Sequence, residues 1–138
     1  MLDNALAIRN QIVTILRSAW SLPSDVDVLD RRERIPSDTF PKAWAKLSQI
    51  PRDFDGARSV SEVYEFSIGG AWSIGTGQDI TALCVGYAAS LGSALVAYDW
   101  SALGYLPQVT SVEFPDDDIE DPFYMVVLTF QITADIFQ

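Results

Sequence analysis

ITALCVGYAASLGSALVAY, residues 80–98, runs for nineteen residues without a charged side chain, and how it is covered decides the fold. Placed on a helical wheel it has two unlike sides. Ile80, Leu83, Tyr87, Leu91, Leu95 and Tyr98 form a bulky stripe suited to a sheet. Ala82, Gly86, Ala89, Ser93 and Ala97 form a smooth one that lets another backbone come close. A helix apolar all round needs cover on both sides. By length alone the segment would also span a bilayer. However, Thr81, Ser90 and Ser93 dilute it, Gly86 and Gly92 interrupt it, and no basic residue flanks either end. A membrane span is therefore not expected, because topology relies on flanking cations. Two covers remain for the smooth side: the chain's own N-terminal helix, or a neighbouring subunit.

Upstream, residues 60–68 read as a strand. Val60, Tyr64, Phe66 and Ile68 share one side with Glu62, opposite Ser61, Glu65 and Ser67. Gly69-Gly70 predicts a bulge or tight bend before the strand resumes at 71–74. Downstream, 108–114 and 123–132 read as strands joined by the acidic stretch 114–122. In the last strand Tyr124, Val126, Leu128, Phe130 and Ile132 alternate with Met125, Val127, Thr129, Gln131 and Thr133.

The first half is less regular. Residues 3–20 predict an amphipathic helix with Leu2, Ala5, Leu6, Ile12, Val13, Leu16, Ala19 and Trp20 on one side. Asp3 or Asn4 caps it and Pro23 bars its continuation. Arg9 falls near the middle of that stripe. It either snorkels or pairs with a carboxylate inside the chain, or it makes an ion pair across a subunit boundary. Residues 25–34 read as a strand entering an exposed loop that turns basic at Arg31, Arg32 and Arg34. Residues 42–50 suit a helix or an extended segment equally, and 52–59 has turn chemistry. The layout predicts one α+β domain over residues 1–138: an antiparallel or mixed sheet of about four strands against two main helices.

Charge divides the chain as sharply as hydropathy does. All nine Lys and Arg lie before Ser59, against eight carboxylates there, a net of +1. From Ser59 onward eleven carboxylates stand without one cation, a net of −11. Repulsion of that size must be relieved by solvent or a partner, and it disfavours grip on nucleic acid or anionic lipid. Cys84 has no second cysteine to pair with, which suits a reducing compartment. The first residues lack the basic and apolar regions of a secretory leader.

Site chemistry is sparse. Histidine is absent, which removes the commonest general base and metal ligand. Gly75-Thr76-Gly77 sits where a dinucleotide loop would, but Ile80 replaces the third glycine and Asp79 would face pyrophosphate. Asp116, Asp117, Asp118, Glu120 and Asp121 could gather a hard cation, yet the glycine of an EF-hand is missing, so a solvated turn is the reading. Cys84, between Leu83 and Val85, reads as a core thiol. Trp20, Trp44, Trp72 and Trp100 read as core or interface anchors. No catalytic, cofactor or metal site is expected. The candidate residues are instead those of a subunit interface: Arg9, Arg31, Arg32, Arg34, Ala82, Gly86, Ala89 and Ser93.

In order along the chain stand the N-terminal helix, Phe40-Pro41 leading into 43–50, and Glu65-Phe66-Ser67-Ile68. The uncharged helix follows, and Phe123-Tyr124-Met125-Val126-Val127-Leu128-Thr129-Phe130 closes. This layout resembles tail terminator (tail-completion) proteins of long-tailed bacteriophages over most of the chain. The resemblance implies a non-enzymatic α+β subunit of a six-membered ring, without cofactor. Such a ring caps the tail tube, ends its polymerisation and offers a docking face to the head connector in the virion neck, after assembly in the host cytoplasm. Its partners would be other copies of itself, tube protein, connector protein and passing DNA, with no membrane. The acidic residues 116–118, 120 and 121 would then line the lumen or dock. The chain departs from the family in the long passage 31–41. A small acidic dimeric secretion-type chaperone, binding an unfolded client, has similar size, charge and layout.

Overall fold

The computed structural model describes residues 2–24, 26–29, 41–49, 61–74, 77–115 and 123–135. Helix α1 (Leu2–Ala19) is followed by strands β1 (Val28–Leu29), β2 (Lys42–Gln49) and β3 (Ser61–Ser73). Helix α2 (Ile80–Ala97) then leads into β4 (Tyr105–Glu113) and β5 (Phe123–Asp135). The strands form one sheet in the order β1-β2-β3-β5-β4. Only β1 and β2 run parallel; the other neighbours are antiparallel. The fold is α+β with a mixed sheet of five strands, one more than the alternation predicts.

At its centre β3 and β5 pair without interruption from Ser61↔Asp135 to Ser73↔Phe123. Their alternation sends Tyr64, Phe66, Ile68, Val126, Leu128, Phe130 and Ile132 into one core with Ile8, Ile12, Leu16, Leu91 and Leu95 of the two helices. Each large side chain removed from water there contributes roughly 1.5–3 kcal/mol. Glu62 enters the same face and is buried, accepting from the Tyr64 hydroxyl at 3.2 Å.

Gly69-Gly70 makes no bulge. Both stay in register, Gly69 opposite Val127 and Gly70 opposite Val126. They are small for another reason: three tryptophans crowd the strand from its two sides. A Cβ on Gly69 would collide with the Trp44 indole on the open face. One on Gly70 would lie 2.7 Å from Trp20 and 2.8 Å from Trp72 on the helix face.

Three further regions bear on the expectations. Of the strand entering a loop over 25–34, the described residues show strand at Val28–Leu29, and residues 25 and 30–34 lie outside them. The ambiguous 42–50 region is strand β2, because Ala43 and Ala45 enter the core while Trp44 turns to the other face. On α1 the buried arc includes Ile8 and Ile15, whereas Leu6 is 60 % exposed. The true arc is rotated away from Leu6, which moves Arg9 from the stripe's centre to its border.

Candidate assembly surface

Helix α2 begins on Asp79, whose Oδ1 accepts the Ala82 amide at 3.1 Å. It ends where the Tyr98 amide reaches Ala94 O and the backbone turns extended. Of its residues only Cys84, Leu91 and Leu95 are buried. Ile80, Leu83, Tyr87, Ala88 and Ala94 are partly buried against the same core. The bulky stripe thus meets the sheet as expected, except at Tyr98, which is exposed and packs edge-on against Trp100.

The helix is locked at two places. Trp20, just past the end of α1, donates its indole N–H to Tyr87 O at 2.9 Å. Tyr87 stacks on Trp72 with ring centroids 4.1 Å apart, and Tyr124 stacks on Trp72 from 5.6 Å. Burial, then the neighbouring Tyr87, pushes the Tyr124 phenol up to about 12. Burial also pushes the Cys84 thiol up, so it behaves as the core thiol its surroundings predict and not as an activated nucleophile. At the second place Trp100 donates its indole N–H to Leu95 O at 2.7 Å. All four tryptophans are buried anchors.

Among the described residues nothing covers the smooth side. Ala82, Gly86, Ala89, Ser93 and Ala97 are all exposed, as are Val85 at 54 % and Val96 at 51 %. Trp20, just past α1, meets α2 at Tyr87 and leaves this side open. Gly86 is decisive. A Cβ there would meet nothing within 4 Å, so nothing among the described residues requires a glycine. A glycine in a helix interior costs about 1 kcal/mol relative to alanine. The length and composition of α2 would also let it cross a membrane.

The remaining predicted residues scatter. Arg9 Nε donates to Ala45 O at 3.4 Å, on the β2 backbone past the end of β1. Arg17 Nη2 donates to Val26 O at 2.6 Å. Arg31, Arg32, Arg34 and the acidic group Asp116, Asp117, Asp118, Glu120 and Asp121 lie outside the described residues. So do Gly75 and Thr76 of the glycine turn. Asp99, just past α2, is exposed and held below the usual carboxylate range by hydrogen bonds from Ser101.

Two features escaped the sequence reading. A polar row crosses the open sheet face from β2 to β4. Ser48 Oγ donates to Glu65, Gln131 Nε2 donates to Glu65 Oε1 at 3.2 Å, and Gln108 Nε2 donates to Gln131 Oε1 at 3.3 Å. Beside it Trp44, Lys46, Ser48, Ser67, Glu113, Pro115 and Val127 line a shallow cavity of about 320 Å³. Alternation in β5 put Gln131 on that face, but nothing local reveals its partners. The second feature is the irregular edge strand β4. Its register slips between Tyr105 and Gln108 and again between Val109 and Ser111, and Leu106 takes a left-handed φ of 55°. Pro107 inside the strand was the available signal.

Among the described residues no three His, Cys, Asp or Glu side chains are grouped to hold a metal ion. No protein-family model matches this chain, and no curated protein matches it in sequence.

Proposed function

We propose that this chain is a structural subunit that completes its core by self-association, and specifically a phage tail terminator. A ring of copies caps the tail tube, ends its polymerisation and presents the face that joins the head. The observation that carries self-association is the open side of α2: small, chargeless and uncovered by the described residues. The step to a tail terminator rests on the order of elements together with the charge division. In a closed ring each copy supplies the second cover for its neighbour's α2 by joining unlike patches. Carboxylates without compensating cations suit a channel that DNA traverses, because phosphates find no cation to release their counterions to. Glu65 and Glu113 on the open sheet face add to the acidic stretch 116–121 in that role.

Native mass spectrometry with negative-stain imaging tests the reading. A hexamer, or rings, is the expected result. A stable dimer instead supports the small acidic chaperone that holds an unfolded client. A monomer at every concentration, with or without tail tubes present, removes the self-association on which both rest.

A further inference from the structure

Building on the self-association reading above, we infer that the open side of α2 seats the outer flank of α1 of a second copy, the flank that carries Leu6, Arg9, Val13 and Arg17. Arg9 Nε reaches Ala45 O on β2, and Arg17 Nη2 reaches Val26 O just before β1. This flank of α1 therefore points to the β1–β2 edge. Leu6 and Val13 lie on it, three and four residues from Arg9. On α2 a Cβ at Gly92 would lie 3.8 Å from Leu128 and 3.9 Å from Val109, so the flank of Gly92 points to β5 and β4. Val85, Ala89 and Val96 share that flank at helical spacing, and all three are exposed.

Within one subunit the two flanks face away from each other. Strand β1 is one edge of the sheet and β4 the other. Four strand spacings separate them, roughly 19 Å. A copy added beside the β4 edge in the same orientation brings its α1 next to α2, and the layer of helices continues from copy to copy. Unlike patches then join, as a head-to-tail contact needs. The direction follows from β3. Trp20, after α1, lies against Gly70, and Tyr87, early in α2, stacks on Trp72, so α1 ends and α2 begins at the Ser73 end of β3. The incoming α1 runs antiparallel to α2, with Leu6 toward Val96 and Arg17 toward Asp79.

Charge selects this occupant. No Asp or Glu occurs from Asn4 to Ser24, a stretch that holds Arg9 and Arg17, and no Lys or Arg occurs from Ser59 onward. Asp79 and Asp99 stand exposed at the two ends of α2. Among the described residues Arg9 and Arg17 bond only to neutral carbonyls, and each guanidinium keeps further donors for a carboxylate. Two α2 sides laid together would instead set carboxylate against carboxylate, with no cation on either. Shape agrees. Ala89 and Gly92 leave a shallow seat that lets helix axes approach to about 8–10 Å. Leu6, 60 % exposed, is ordinary surface in one subunit, and it is the large apolar side chain that this flank offers a seat of that kind. Direct pairing of sheet edges is the weaker route, because β4 is broken by two register slips and Pro107.

The test replaces Leu6 with photoreactive p-benzoylphenylalanine in mixed light and nitrogen-15-labelled protein. The expected product links position 6 of one copy to residues 85–97 of another. Links elsewhere on another copy, links only within one copy, or an oligomer that gives no link each overturn the inference while leaving self-association standing. A monomer at all concentrations overturns both. As a second arm, Leu6→Asp sets a carboxylate against the chargeless strip. It should weaken assembly at least tenfold in a dilution series by native mass spectrometry, with urea unfolding of the dissociated chain unchanged. Unchanged assembly overturns the inference, and so does a weakening that unfolding of the dissociated chain shares.

Discussion

Helices α1 and α2 are both eighteen residues long and both lie on the same face of the sheet, yet they solve different problems. α1 carries Asp3, Arg9 and Arg17 and buries one arc, with Ile8, Ile12 and Leu16 sealed from water. Its other side is ordinary solvent-facing surface. α2 buries its arc through Leu91 and Leu95 and then repeats apolar composition on the side that faces water. The contrast teaches that packing within one chain explains all of α1 and half of α2. The unexplained half is where a function through association belongs.

The comparison predicts first that the buried arcs are equivalent. Leu16→Ala in α1 and Leu91→Ala in α2 each leave a cavity in the same core, and each should cost about 3 kcal/mol in urea unfolding. A much smaller loss at Leu91 would mean that α2 is not docked on the sheet, and the contrast would break at its base.

Next comes the aromatic clamp that holds α2. The Tyr124 phenol is raised to about 12, so the folded state keeps it protonated while the unfolded chain ionises near 10. Stability is therefore fully present below pH 10 and is lost as pH rises from 10 through about 12. Monitoring unfolding against pH should show that decline, and Tyr124→Phe should flatten it. A phenol titrating near 10 in the folded protein, read from its absorbance at 295 nm, would count against the clamp.

Gly69→Ala follows, at about 1–3 kcal/mol, because the new methyl must displace the Trp44 indole from a packed position. A shifted tryptophan emission should accompany the loss. Asp79→Ala should then cost about 1 kcal/mol, since the Ala82 amide loses its cap. The loss should be recovered by Asp79→Ser or Asp79→Asn.

Much of this fold is legible in the sequence, and the reasons are physical. The alternation in β5 and the nineteen chargeless residues follow from period and composition, which act within one element. Cys84 as a core thiol is equally local. The failures are places where another element decides. Gly69-Gly70 looks like a break because the three tryptophans that need the space come from the turn after α1, from β2 and from the strand itself two residues on. Strand β2 looks ambiguous because only its neighbours tell Trp44 from Ala43 and Ala45. Leu6 was assigned to the buried arc because hydropathy cannot say where along the helix the sheet runs out. Whether α1 would cover the smooth side of α2 was likewise open, since that depends on how the two helices lie.

The smallest expected effect is also the sharpest. Gly69 and Gly86 are the same residue type in two elements, one with no room for a methyl group and one with room on every side. In the isolated chain Gly86→Ala should stabilise by about 0.5–1 kcal/mol, through lower helix-interior entropy and nothing else. If a neighbouring backbone lies close on this face, the same methyl should weaken assembly, so unfolding of the monomer and dissociation of the oligomer move in opposite directions. Chemical denaturation under dissociating conditions reads the first, and a dilution series by native mass spectrometry reads the second. If both improve, no close approach occurs at Gly86, and the cover of α2 must touch it elsewhere along Val85 and Val96.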